Sequence, residues 1–183
     1  WYCGRFTFDN KVQIYGEHPA VSWILTVEDK TGFHTFCSDD PSVEAISSPY
    51  EYAGFYDGEV YNENREQDSI QPVKFEGHIP DVFEEGTMSV RIREEMPVKS
   101  ITKRGDMTIL DFGQNFAGII TIDPAKMKGD CLKLRHGEIL NADGSLYTTN
   151  LRKAKAEIIY HKGSSIYRPR FTYMGFRYVE LSG

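Results

Sequence analysis

An all-β chain of two sandwich-like units is what this sequence predicts, and three observations carry the prediction. Eleven Tyr, eleven Phe and two Trp sit among 183 residues, while Ala and Leu runs at helical spacing are few; aromatic side chains fit the pleated, half-buried faces of sheets. Sixteen Gly and eight Pro supply turn residues at short intervals. Apolar and polar residues alternate with a period of two, as where Leu132 and Leu134 alternate with Lys133 and Arg135, which sends one set to a core and the other outside.

In chain order, residues 1–15 interchange aromatic and polar side chains around an Asp9-Asn10 turn, and residues 21–27 (Val-Ser-Trp-Ile-Leu-Thr-Val) read as a buried strand. Asp29-Lys-Thr-Gly32 closes a hairpin onto residues 33–37, and Ser38-Asp-Asp-Pro41 breaks the chain again. Residues 49–65 gather Tyr50, Tyr52, Phe55, Tyr56, Asp57, Glu59, Tyr61 and Glu63. Aromatic faces beside carboxylates can hold a sugar, which offers C–H faces and hydroxyls. The commoner role of such tyrosines is to line a half-buried strand face. Gly58 is expected to let the chain bend. Residues 71–75 read as the last strand of a first unit, and residues 76–86, with their Gly, Pro and acids, as a connector. The boundary is therefore placed between residues 1–85 and 86–183.

Residues 88–93, 96–101 and 107–112 then alternate as strands of a second sandwich. Gly113 and Gly118 are expected to bracket a turn, with residues 118–123 as a β-branched strand that Pro124 ends. Residues 131–135 form the next strand, and Asn141-Ala-Asp-Gly144 is a hairpin signal. Lys153-Ala-Lys-Ala-Glu157 could open a helical turn, but Ile158-Ile-Tyr160 argues for a strand, and residues 167–181 read as two aromatic strands around Gly175.

The net charge of −6, from 27 acidic and 21 basic residues, and the lack of a basic cluster interleaved with aromatics make nucleic acid an unexpected partner. No apolar run is long enough to cross a bilayer, so no membrane is expected, and the first five residues carry no signal-peptide pattern and read as the middle of a domain. Cys3, Cys37 and Cys131 lie far apart without Cys-x-x-Cys spacing and read as buried thiols, with one bridge plus one free thiol as the alternative.

Nucleophilic and metal catalysis have no visible machinery. Gly-x-Ser-x-Gly, His-Glu-x-x-His and Walker patterns are absent, the five histidines (18, 34, 78, 136, 161) are scattered, and no cofactor is expected. Asp111-Phe-Gly113 copies a kinase triplet without the loops that should accompany it. Asp111 with Glu138 is the carboxylate pair to test for glycoside hydrolysis, but two acids among 27 do not make a site, and the chain is read as non-catalytic.

The density of polar residues at strand ends is the feature with functional content. Asp111, Gln114, Asn115, Arg135, His136, Glu138, Asn150 and Arg152 form a rim suited to meet something polar. Otherwise Asp111 and Asn115 cap turns while Arg135, Glu138 and Arg152 make exposed ion pairs. With Tyr56 and Glu59 they are the candidate carbohydrate or interdomain contacts.

Residues 110–118 (LDFGQNFAG), 134–151 (LRHGEILNADGSLYTTNL) and 169–180 (PRFTYMGFRYVE) resemble, in order and spacing, the concanavalin-like β-sandwich domain of bacterial α-L-rhamnosidases. Trp1-Tyr-Cys-Gly-Arg5, Tyr15-Gly-Glu-His-Pro-Ala20 and Asp57-Gly-Glu-Val-Tyr61 are similar to the later part of that family's N-terminal jelly roll, although Asn62 stands for the usual Asp and Arg65 lies one place late. The resemblance implies a jelly roll entered partway, followed by a concanavalin-like sandwich. The inverting acid and base would lie in a separate (α/α) barrel of the same parent chain. This chain would be an accessory region supporting that barrel, with a rhamnose-containing carbohydrate as a further partner. An independent carbohydrate-binding module and a structural spacer are the alternatives. The calcium and L-rhamnose ligands of some relatives do not align onto this segment, so no metal ligand is assigned. The compartment stays open between periplasm, exterior and cytoplasm. Two expectations follow: a jelly roll short of strands should pair its open edge, for instance as a dimer, and the rim should be exposed to solvent.

Overall fold

The computed structural model describes residues 20–74, 76 and 86–183. The readings for residues 1–19, Cys3 among them, and for nearly all of the 76–86 connector lie outside these. In chain order the strands are β1 (Ile24–Asp29), β2 (Gly32–Cys37), β3 (Ala45–Ile46), β4 (Tyr50–Gly54), β5 (Gly58–Asn62), β6 (Ser69–Ile70), β7 (Ser100–Arg104), β8 (Met107–Gly118), β9 (Cys131–Gly137), β10 (Ile139–Leu140), β11 (Leu146–Tyr147), β12 (Glu157–His161) and β13 (Met174–Ser182). Short 3₁₀ turns occur at Pro124–Lys126 and Thr149–Leu151, and the described residues contain no α-helix. The chain is all-β, as expected.

Contacts divide it into two compact units. The smaller comprises the described parts of Gly16–Ser48 and Gln67–Val90. In it β1 and β2 form the expected hairpin, with Asp29 paired to Gly32 and the Asp29 carboxylate accepting from the Thr31 N–H at 2.7 Å. Residues 21–27 were expected to be buried, yet Val21, Ile24, Leu25 and Val27 are exposed. A two-stranded ribbon has too little second layer to bury them. Residues 71–74 form no ladder; Ser69–Ile70 pairs instead with Ala45–Ile46.

The larger unit comprises, among described residues, Pro49–Glu66 and Arg91–Gly183. Its seven-stranded sheet runs β4-β5-β12-β9-β13-β8-β7, antiparallel throughout except for the parallel join of β5 with β12. That join draws residues 49–66 into the later sheet, across the 85/86 boundary read from the sequence. It depends on glycine at position 58, where a Cβ would lie 1.6 Å from the Glu157 carbonyl oxygen and φ is +108°.

Period-two alternation organises the sheet around β9. Leu134 and His136 face the core, Leu134 opposite Ile158 and Leu181, and His136 opposite Val179. Around them pack Phe112, Tyr160, Tyr167 and Phe176. On the other face Lys133 Nζ meets Glu157 Oε2 at 2.7 Å and Arg135 Nη1 meets Glu180 Oε1 at 3.4 Å. Charged residues thus gather on one face and apolar ones on the other, and on the charged face Glu180 is itself only 6% exposed.

Several strand readings need correction. Gly113 and Gly118 do not bracket a turn: β8 runs through both, and residues 112–115 bulge opposite Arg177, between the pairs Asp111–Tyr178 and Phe116–Phe176. Residues 119–121 join no ladder. Ile119 and Ile120 line a small recess with His136, Ile158 and Met174, and only the bridge from Ile122 to Tyr167 follows. Residues 88–93 alternate in sequence but find no partner strand among the described residues; of residues 96–101, Ser100 and Ile101 enter β7 and the Lys99 N–H donates to the Asp111 carbonyl of β8 at 2.8 Å. Residues 167–181 supply one strand, β13, not two. The 141–144 signal and the strand at 158–160 appear as the β10–β11 hairpin and β12.

The bulge makes a test of its own. Gly113 has φ +83°, and a Cβ there would come within 2.3 Å of Lys99 Cδ. A lysine side chain can swing aside, so the lasting cost of Gly113→Ala is the left-handed backbone, about 1–2 kcal/mol. Denaturant titration should show a lowered midpoint with an unchanged slope; an unchanged midpoint would show that the bulge does not need glycine.

Candidate functional site

Three polar side chains from separate segments of the larger unit converge. Asn115 closes the β8 bulge, Glu138 follows β9, and Asn150 sits in the second 3₁₀ turn. Asn115 Nδ2 donates to Glu138 Oε1 and Asn150 Nδ2 donates to Glu138 Oε2, both at 2.9 Å. The carboxylate is thus held by one amide on each oxygen, and each amide keeps its carbonyl oxygen as an acceptor. Both asparagines are exposed and Glu138 is half-buried. Gly175 adjoins the cluster: a Cβ there would be 3.6 Å from Glu138 Oε1. Arg152, also exposed, adopts φ 57° and ψ −106°, a conformation that a non-glycine residue holds only under constraint.

The other candidates go elsewhere. Asp111 is forked by Arg177, whose Nε and Nη2 lie 2.8 and 2.9 Å from its two oxygens. That guanidinium, helped by the Gly113 N–H, holds the carboxyl below its ordinary range. Gln114 is exposed within the bulge. Arg135 pairs with Glu180 across the sheet. Tyr56 is exposed, its ring edge-on to Phe55.

Two candidates are corrected outright. His136 is 2% exposed, not on the rim; successive residues of a strand point to opposite faces, so Arg135 and His136 cannot share one surface. Its Nδ1 lies 3.0 Å from the Ala156 carbonyl and therefore carries the proton, its ring meets Phe176 edge-on, and burial pushes its pKa down to about 4. Glu59 is 1% exposed and can touch no ligand from solvent. Its Oε2 accepts from the Tyr167 hydroxyl at 2.5 Å and its Oε1 from the backbone N–H groups of Arg170 and Phe171 at 3.0 and 2.6 Å. Burial, then this carboxylate, pushes the Tyr167 hydroxyl pKa up.

The pair considered for acid–base work is consequently engaged by different partners, Asp111 by a guanidinium and Glu138 by two amides. Among the described residues no group of three or more His, Cys, Asp and Glu could hold a metal ion. Cys37 and Cys131 are free, half-buried thiols. Sequence reading missed Arg177 and Tyr167 as partners of Asp111 and Glu59, which lie 66 and 108 residues away. The only advance signal was their place in the aromatic, Arg-containing stretch at 167–178.

Comparison with known proteins gives this arrangement a context. Residues 101–183 match the bacterial alpha-L-rhamnosidase concanavalin-like domain. An alpha-L-rhamnosidase of Streptomyces avermitilis is 35% identical over 199 residues, covering 100% of this chain and 19% of that protein. One from Formosa agariphila is 29% identical over 199 residues, covering 100% of this chain and 22% of that protein. The crystal structure of the S. avermitilis alpha-L-rhamnosidase complexed with L-rhamnose superposes with a TM-score of 0.75 at 31% identity, covering 100% of this chain and 19% of that one. The chain thus spans about a fifth of the length of the curated relatives it matches.

Proposed function

From the premise that residues 101–183 belong to the concanavalin-like domain family of bacterial alpha-L-rhamnosidases, we propose that the chain is a non-catalytic accessory region supporting the catalytic barrel of a rhamnosidase-type glycoside hydrolase. The observation that carries this reading is the state of the carboxylates. Hydrolysis of a glycoside needs one acid ready to give a proton and one base facing it. Asp111 is neutralised by the Arg177 fork, and Glu138 already accepts a hydrogen bond on each oxygen.

The exposed polar cluster of Asn115, Glu138 and Asn150, with Gln114 and Arg152 in neighbouring segments, is the surface we assign to contact with the barrel or with its carbohydrate. Amide and carboxylate groups fixed in one arrangement give directional hydrogen bonds at little entropic cost. Incubation of the chain with an aryl α-L-rhamnoside should release no more phenol than a heat-denatured control. Turnover that vanished in Asp111→Asn or Glu138→Gln protein would overturn the accessory reading.

A further inference from the structure

Of the exposed aromatic rings of the larger unit, three stand together beside the core: Phe55 at 39%, Tyr56 at 47% and Tyr173 at 49%. They come from the β4–β5 turn and the approach to β13. Phe55 stands edge-on to both tyrosines, with ring centroids 5.4 Å from Tyr56 at 89° and 5.1 Å from Tyr173 at 88°. The backbone beneath them is pinned. Thr172 Oγ1 donates to the Phe55 carbonyl at 2.8 Å, the Ala156 N–H donates to the Tyr56 carbonyl at 3.2 Å, and buried Glu59 accepts from the Phe171 N–H. Rings held this way give up little conformational freedom when something covers them.

We propose that Phe55, Tyr56 and Tyr173 form the seat on which an apolar surface of the catalytic domain of the same polypeptide docks; this rests on the accessory reading above. The relatives are long enough to supply that surface, since the matched span is only 19–22% of their length. Ring geometry selects a protein over a sugar as the occupant. A pyranose lies flat on an exposed aromatic face, whereas Phe55 is perpendicular to both of its neighbours, so the three rings do not make one flat platform. Rings set at right angles suit interdigitating side chains, and aromatic residues, tyrosine among them, are enriched in the cores of protein interfaces.

Hydroxyl-radical footprinting tests the seat without any substitution that could disturb folding. Labelling of Tyr56 and Tyr173 is compared between the 183-residue chain and the gene product that joins it to a catalytic domain. Several-fold lower labelling of both tyrosines in the longer protein is the expected result. Equal labelling in the two overturns the proposal, as does protection of the rings in the shorter chain by added L-rhamnose, which would make them a sugar platform. Rhamnosidase assay of the same samples separates the two readings. An inactive gene product counts against the accessory function, whereas an active one with unprotected tyrosines removes only the seat.

Discussion

Glu59→Ala is expected to lower the stability of the larger unit by an amount on the order of 3–5 kcal/mol, because donors that bond the carboxylate lose their acceptor and each left unsatisfied in the interior costs about 1–3 kcal/mol. The carboxylate is 1% exposed, and three donors depend on it: the Tyr167 hydroxyl and the N–H groups of Arg170 and Phe171. Tyr167 is itself only 4% exposed, so its hydroxyl cannot turn to water instead. These bonds also fasten β5 to the segment leading into β13, far away in sequence, and so hold together the two parts of the chain that the parallel join unites. For a chain of this length such a loss corresponds to a melting temperature lower by roughly 10 °C. Glu59→Gln should sit between the two: its oxygen can still accept from both backbone N–H groups, while the Tyr167 hydroxyl turns to accept from the amide. Denaturant midpoints measured in parallel should therefore fall in the order wild type, Gln, Ala. An Ala variant as stable as wild type would mean that the carboxylate is not the anchor described.

Hairpin turns and the face alternation of single strands are legible in the sequence, whereas pairings between distant segments are not. The hairpins at 29–32 and 141–144 and the alternation at 131–135 are short-range features, set by turn chemistry and by the side-chain period within one strand. The band at 88–93 alternates equally well but forms no ladder among the described residues, because alternation states what a strand would do with its faces and not whether a partner edge exists. The parallel pairing of β5 with β12 and the couplings Asp111–Arg177 and Glu59–Tyr167 join residues that no spacing rule connects.

The candidate rim shows the same division. Asn115, Glu138 and Asn150, all polar and at strand ends or beside turns, do meet. Arg135 and His136 both fall at a strand end, which suggests the rim for both, although the period of two implies that one of them faces the core. Glu59 stands out in the sequence for its aromatic neighbours, yet the groups that bond it, the Tyr167 hydroxyl and the N–H groups of Arg170 and Phe171, come from a distant segment. A carboxylate amid tyrosines can bind a sugar from outside or a tyrosine from inside, and composition cannot distinguish the two.

Burial of His136 should make the fold sensitive to mild acid. Its folded pKa is pushed down to about 4 by loss of solvent, against an ordinary value of 6.5. In the unfolded chain the imidazole takes up a proton below about pH 6.5, whereas in the native core it stays neutral until about pH 4. The unfolded state therefore binds more protons through that window, and stability is full above pH 6.5, falls as the pH drops, and levels off for this group below about 4. The displacement amounts to roughly 3 kcal/mol over the whole window. Carboxylates held below their ordinary range, such as Asp111 and Glu63, lose their contribution mainly below about pH 4.5, so the decline between pH 6.5 and 4.5 isolates the histidine. Its surroundings offer no relief: the ring meets Phe176, and the Ala156 carbonyl is already engaged by Nδ1–H, leaving an added proton on Nε2 to be solvated within an apolar layer. Denaturant unfolding of wild type and His136→Gln at half-unit pH intervals should give a steep wild-type slope and a shallow variant slope across that window. Parallel slopes for the two proteins would show that His136 protonates freely in the folded state, and hence that this part of the sheet opens to solvent.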